Sequence, residues 1–275
     1  MIINNGLPEP LYKAICKING KYSPGESDIT VTQLIDSPYI RLLRQEHAHE
    51  LVEKATECIW RFFGSLTHQI LQEYEGANSF NEERLYVKIG GKLVGGQFDS
   101  YDYDSKILSD YKFTKNYAIK NGAKEEWVAQ LNCLRFILVK NGFAVEKLRL
   151  DAILRDSVAA RGEVDFKSID IPMWTLEEAE RYLHERIIIH YRTPLIIPPC
   201  TDKERWYMPG KVALMKKGRK TAVTLYDTAH EAENAITGKG KEYYIENRPG
   251  VNRRCEAFCN VSRWCRWWLS SKEIK

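Results

Sequence analysis

The sequence predicts an α/β protein: a central mixed β-sheet flanked by helices, with a cysteine-rich C-terminal extension. Two observations predict the sheet and its helices. The apolar period is helical over residues 46–75, switches to strand-like from Arg84, returns to helical over 125–140 and becomes strand-like again over 146–155. Glycine and asparagine punctuation falls where these periods change. A third observation sets the tail apart, because three of the seven cysteines lie within the last 21 residues. Residues 1–198 are expected to form the core, with a helical N-terminal segment, and 199–275 a C-terminal hairpin and cysteine region packed on it.

Residues 1–28 read as irregular, broken by Pro8, Pro10, Pro24 and Gly25. Thr30 to Leu43 reads as a helix entry interrupted at Ser37-Pro38. The long helical stretch carries Leu51, Ala55, Cys58, Ile59, Phe62, Phe63, Leu66, Ile70 and Leu71 at helical spacing. Gly64 within it points to a close approach by another backbone. Leu85 to Ile89 and Lys92 to Asp99 form a hairpin around Gly90-Gly91. Tyr101 to Ser105 reads as a turn and Lys106 to Lys112 as a third strand. Asn141-Gly142 closes the 125–140 helix. Thr175 and Glu178 have capping-box spacing for a helix reaching about His190. Thr193 to Pro199 is a connector, Val212 to Tyr226 a hairpin around Lys217-Gly218, and Ala229 to Ile236 a short helix.

Composition narrows the class. An apolar fraction of 44% and a charged fraction of 28% are those of a soluble globular protein. No apolar run approaches the ~20 residues of a membrane span, and the N-terminus lacks the basic start and apolar run of a signal peptide. A cytoplasmic location and no membrane partner are therefore expected. The net charge of +4 permits a nucleic-acid partner without requiring one.

Asp99, Asp110 and Lys112 carry the chemical signal. Two carboxylates at neighbouring strand ends can share a divalent metal, because hard cations prefer oxygen ligands. Asp110 and Lys112 are two apart in a strand, so both side chains leave one face. The ammonium then stands beside the metal, where a phosphate oxygen would lie, which is equipment for metal-assisted phosphodiester hydrolysis. His68, on the preceding helix, is the candidate third ligand. Singly these are ordinary residues; order, spacing and strand placement together select them.

Gly96-Gln97-Phe98-Asp99, Asp110-Tyr111-Lys112 and Gln130-Leu131-Asn132, preceded by a helix with Gly64 and His68, resemble the RecB-like branch of the PD-(D/E)XK nucleases. The resemblance spans residues 30–268. It implies a restriction-endonuclease-like core, with His68, Asp99 and Asp110 as magnesium or manganese ligands and the Tyr111 carbonyl completing the set. It implies that Lys112 orients or activates the attacking water and that Gln130 holds a water or DNA. The family helix carries a tyrosine four residues after the glutamine. Here that position is Leu134, followed by Arg135.

Cys255, Cys259 and Cys265 are close enough in sequence to fold around one ion or cluster. A tetrahedral site needs a fourth ligand, for which Cys200 is the candidate. The x3 and x5 spacing does not favour the tight zinc knuckle, and structural zinc remains the alternative. Cys16, Cys58 and Cys133 read as small hydrophobes. Pro199-Cys200 with Glu204-Arg205-Trp206, and Arg248-Pro249-Gly250 with Arg254-Cys255, resemble phage and prophage RecB-like proteins. That likeness implies a structural 4Fe–4S cluster on Cys200, Cys255, Cys259 and Cys265, as in AddB-type and CRISPR-associated nucleases. Asp36-Ser37-Pro38 stands where some relatives carry a cysteine–proline pair.

Arg248, Arg253, Arg254, Arg263 and Arg266 interleave with Trp264, Trp267 and Trp268, a pattern suited to phosphates and unpaired bases or to packing the tail. Lys211 and Lys216-Lys217-Gly218-Arg219-Lys220 form a second basic run. The expectation is a metal-dependent DNA exonuclease acting at single-stranded or duplex ends in phage recombination or repair. A recombinase or single-strand annealing protein is a possible partner. The alternatives are a non-catalytic DNA-binding accessory protein and a structure-specific endonuclease. No sequence feature speaks to oligomeric state.

Overall fold

The computed structural model describes all residues except 20–22, 75–77, 159–160, 163, 193–196 and 274–275. The chain divides into two compact units, Met1–Ile197 and Pro198–Lys275. Most of the expected 193–199 connector lies outside the described residues.

The first unit opens with β1 (Ile2–Ile3), α1 (Glu9–Asn19), β2 (Ile29–Thr30), α2 (Val31–Ile35), α3 (Pro38–Glu46) and β3 (Glu53–Lys54). Thr30 caps α2 with Gln33 in a capping box, and Ser37 caps α3 with Pro38 at its first position, so Ser37-Pro38 separates two helices. The irregular reading of residues 1–28 is corrected by α1, an amphipathic helix whose Ile15 packs with Cys58 and Phe62 in a small second core. The long helix is corrected too. It is α4 (Ile59–Gln72), preceded by a 3-10 turn at Ala55–Cys58. The helical spacing of Leu51, Ala55 and Cys58 is overridden by non-local pairing, because β3 runs parallel to β1 and Glu53 N donates to the Met1 carbonyl. Gly64 has no atom within 4 Å of where a Cβ would stand, so the expected close approach is absent among the described residues.

Strands β4 (Ser79–Asn81), β5 (Arg84–Ile89), β6 (Lys92–Gln97), β7 (Ser100–Asp102) and β8 (Ile107–Thr114) follow. The hairpin β5–β6 is present, with Gly90 and Gly91 both at positive φ in its two-residue turn. After α5 (Asn116–Ile119) and α6 (Glu125–Lys140) come β9 (Lys147–Leu154), β10 (Phe166–Ile171) and α7 (Leu176–His190), the last with the Thr175–Glu178 capping box. A mixed five-stranded sheet has the order β10-β9-β8-β7-β4, and a second sheet the order β2-β6-β5. The expected hairpin and third strand are therefore divided between two sheets. β8 leaves the hairpin to pair antiparallel with β7 and parallel with β9. Tyr101, expected in a turn, is a buried residue of β7.

α6 is buried on both sides. Leu131, Cys133, Leu134, Phe136, Ile137 and Leu138 are all within 2% of complete burial, in one core with residues of β5, β6, β8, β9 and α7. A helix apolar all round belongs between layers. Asn132, also buried, donates to the carbonyls of Val128 (2.9 Å) and Pro172 (3.0 Å) and accepts from Trp174 N at 2.7 Å, pinning the link from β10 to α7.

The second unit holds β11 (Tyr207–Met208), β12 (Lys211–Lys216), β13 (Thr224–Tyr226), α8 (Ala229–Ile236), β14 (Tyr243–Arg248), β15 (Val251–Asn252), α9 (Arg253–Ala257) and α10 (Arg266–Glu273). β12 is central in a three-stranded antiparallel sheet with β13 and β14, so the expected hairpin is present with a third strand added. β11 pairs with β15.

Candidate active site

Asp99 sits where the chain leaves one sheet for the other, between β6 and β7 rather than within the return strand. Two bonds fold the β4–β5 turn onto this crossing: Phe98 N donates to the Glu83 carbonyl and Glu82 N to the Asp99 carbonyl, each at 3.2 Å. The turn places Glu82 at a positive φ of 57°, a conformation rare for a non-glycine residue. Gln97 Nε2 secures it, donating to the Glu82 carbonyl at 3.2 Å and to its Oε2 at 2.7 Å.

α4 brings His68 to the same place. Its Nδ1 lies 3.0 Å from Glu82 Oε1 and 3.5 Å from Asp99 Oδ1. His68, Glu82 and Asp99 each offer a ligand atom, all within 4.8 Å of one another. Glu82 is absent from the residues the sequence selects, because Asn81-Glu82-Glu83 reads as an ordinary solvated turn. Only the long-range fold-back reveals it.

On β8, Asp110 and Lys112 share a face, and Asp110 is only 2% exposed. Asp110 Oδ2 lies 2.6 Å from Lys112 Nζ, which also donates to Gln130 Oε1 on α6 at 3.2 Å. The intervening Tyr111 donates its backbone N–H to Asp99 Oδ2 at 2.6 Å, tying β8 to the sheet crossing. Asp110 stands outside the His68–Glu82–Asp99 group. Leu134, where the resembled family has tyrosine, is buried beside the cleft, and Arg135 Nη1 donates to the Trp174 carbonyl at 2.9 Å.

The electrostatics follow from burial and crowding. Burial, then the charge of Asp110, push the Asp99 carboxyl up to about 7. Burial works against the His68 cation, but its bond to Glu82 and the charge of Asp99 outweigh it and raise its pKa. Burial likewise opposes the Lys112 cation, and Asp110 and Asp99 overcome it, so this ammonium stays charged. The cleft above these groups has a volume of about 770 Å³ and is walled by Ser65, Gln69, Gln72, Arg84 and Gln97 besides the site residues. An imidazole with converging carboxylates is a donor set suited to a divalent cation. Two ligand carboxylates with a third close by make a concentration of negative charge that such a cation would relieve.

In the second unit, Cys200, Cys255 and Cys265 are buried and Cys259 is half-buried, and none is in a disulfide. The Cys200 segment is drawn to the C-terminal trio by the β11–β15 pairing and by two arginines. Arg205 donates to the Cys200 carbonyl and, at 3.0 Å, to Asn252 Oδ1; Arg254 Nη1 donates to the Glu204 carbonyl at 3.2 Å. Burial, then the nearby Cys259 and Cys265 sulfurs, push the Cys255 thiol up to about 11. Burial also raises Cys265, against backbone N–H bonds to its sulfur from Trp268 and Trp267 at the start of α10.

Of the tail tryptophans, Trp268 is buried, Trp267 lies under the Arg205 guanidinium at 3.9 Å and Trp264 under Arg263 at 3.9 Å. Lys211 pairs with Asp227, and Arg248 Nε with Glu246 at 2.8 Å, so part of the basic run is neutralised. Cys133 and Cys58 are buried among apolar residues of the first unit.

No protein-family model and no curated protein matches the chain. Among solved structures the chain is similar to SSO0001, at 18% identity and a TM-score of 0.48 over 68% of this chain and 87% of that one. It is also similar to a protein from Eubacterium rectale called "Putative exonuclease", at 14% identity and a TM-score of 0.34 over 67% of this chain and 74% of that one. Likeness at this level carries no argument about fold or function. What stands on the geometry alone is an α/β chain in which a histidine and two carboxylates converge as a candidate divalent-metal centre beside a charged lysine.

Proposed function

We propose that this chain is a divalent-metal-dependent deoxyribonuclease of the RecB-like PD-(D/E)XK type, hydrolysing phosphodiester bonds at DNA ends. One observation carries the reading: a lysine held charged between Asp110 and Gln130 faces the cleft that His68, Glu82 and Asp99 line. Magnesium or manganese held by His68, Glu82 and Asp99, with Asp110 adjoining, would neutralise the phosphate and lower the pKa of a water. Lys112 cannot serve as a base while Asp110 and Asp99 keep it protonated. Its role is to donate N–H to a phosphate oxygen or to the attacking water, and to offset charge that builds in the transition state. The Gln130 carbonyl fixes where Nζ points. Tyr111 holds the Asp99 carboxylate through its amide, and Gln97 holds Glu82.

Cys200, Cys255, Cys259 and Cys265 are read as holding a structural 4Fe–4S cluster, with zinc the alternative, on the support of four cysteines gathered in one unit and of N–H bonds to the Cys265 sulfur. The test of the enzymatic reading is cleavage of end-labelled single- and double-stranded DNA in magnesium, manganese or EDTA by wild type, Asp99→Ala and Lys112→Ala. Metal-dependent cleavage lost in both variants supports it. Cleavage that persists in EDTA contradicts it. Binding without cleavage by the metal-loaded protein favours the accessory DNA-binding reading.

A further inference from the structure

α4 carries more than His68. Trp60 and Phe63 stand one turn apart on it and remain 55% and 43% exposed. Phe113, the residue after Lys112 on β8, completes the group: ring centroids are 6.1 Å apart for Trp60–Phe63, 6.3 Å for Trp60–Phe113 and 6.5 Å for Phe63–Phe113. Exposed aromatics clustered in this way mark an interaction surface more often than chance. A cation is built into the cluster. The Arg155 guanidinium lies 4.0 Å from the Trp60 ring centroid, and its Nε and Nη1 are shielded from water without a hydrogen-bond partner among the described residues. Arg61, next along α4, differs: both its terminal nitrogens are taken by Glu53 at 3.0 and 2.9 Å.

We propose that Trp60, Phe63 and Arg155 form a platform for single-stranded DNA: unpaired bases stack on the two rings and a phosphate pairs with the guanidinium. This rests on the nuclease reading and names the form of its substrate. The guanidinium beside the rings supplies the positive charge that the phosphate of a stacked nucleotide needs. Arginine stacked on the indole fixes the ring while leaving much of it open. Every base has a face for such a ring when unpaired, whereas duplex bases are stacked on one another. Trp60 and His68 stand eight residues, ~12 Å, apart along α4.

The test is fluorescence anisotropy with labelled oligothymidylate and a blunt duplex of equal length, in calcium, using wild type, Trp60→Leu, Trp60→Phe, Phe63→Leu and Arg155→Met. Leucine keeps apolar bulk without an aromatic face. Each leucine variant should weaken single-strand binding about five- to a hundredfold, Trp60→Phe should recover most of the loss, and duplex binding should stay unchanged. Arg155→Met should lower the salt dependence by about one ion. Unchanged single-strand affinity in Trp60→Leu, or an equal loss on duplex, overturns the platform. So does a wild-type dimer in sedimentation that Trp60→Leu splits, which would make the patch a contact between copies. If wild type shows this binding pattern but cleaves nothing in magnesium, the nuclease reading fails and the platform stands. Cleavage of single strands untouched by Trp60→Leu gives the reverse.

Discussion

Lys112 is the residue on which both stability and chemistry turn. Removing it in Lys112→Ala leaves the Asp110 carboxylate buried without its cation, which should cost about 3–5 kcal/mol as well as cleavage. Asp110→Ala/Lys112→Ala should recover part of the stability but none of the activity, as a double-mutant cycle by urea unfolding and cleavage assay will show. Asp99 and His68 set a pH dependence. Both have native pKa values above their unfolded ones, so the metal-free native state holds more protons and loses stability as pH rises. Asp99 contributes this fall between its ordinary value near 4 and its native value of about 7, and His68 as pH passes through its raised value. Urea midpoints without metal should therefore drop from pH 4 to 8, and Asp99→Asn should flatten that drop. Asp99, Asp110 and Lys112 were legible in the sequence because strand spacing alone puts Asp110 and Lys112 on one face. Glu82 was not, because its place depends on a turn fixed by Gln97 and Asp99, fifteen and seventeen residues away.

At the scale of elements, two glycines should respond in opposite ways. A Cβ at Gly96 of β6 would lie 2.7 Å from Leu134 Cδ2 and 2.8 Å from Ile137 Cδ1, both on α6. Gly96→Ala should force the buried ends of Leu134 and Ile137 to shift and cost about 1–3 kcal/mol. Gly64 meets nothing, so Gly64→Ala should stabilise α4 by about 0.5–1 kcal/mol; thermal unfolding of both variants checks the pair. α6 was legible because its apolar run is long and closed by Asn141-Gly142. The start of α4 was misread because Leu51, Ala55 and Cys58 keep a helical period while their backbone answers to β1 and Met1. β7 escaped because three residues with one buried side chain carry too short a period to read.

For the whole molecule, the two units hold separate residue sets, a candidate metal cleft within Met1–Ile197 and four cysteines within Pro198–Lys275. If the cysteines hold a 4Fe–4S cluster, protein purified without oxygen will be brown and contain iron. Cys255→Ser or Cys265→Ser will lose the colour and destabilise the second unit in proteolysis, while Cys133→Ser will keep the colour. Stoichiometric zinc in colourless protein would replace the cluster with an ion. Gathering cysteines are legible from spacing; which ion or cluster they would hold is not, because four thiols serve either. The central claim concerns the cleft, and the most direct measurement is cleavage of end-labelled DNA in magnesium, manganese and EDTA by folded, metal- and cluster-replete protein, with Lys112→Ala beside it. The account predicts metal-dependent shortening from the ends that Lys112→Ala abolishes. Equal cleavage by Lys112→Ala, or none by wild type on any strand form, would contradict it.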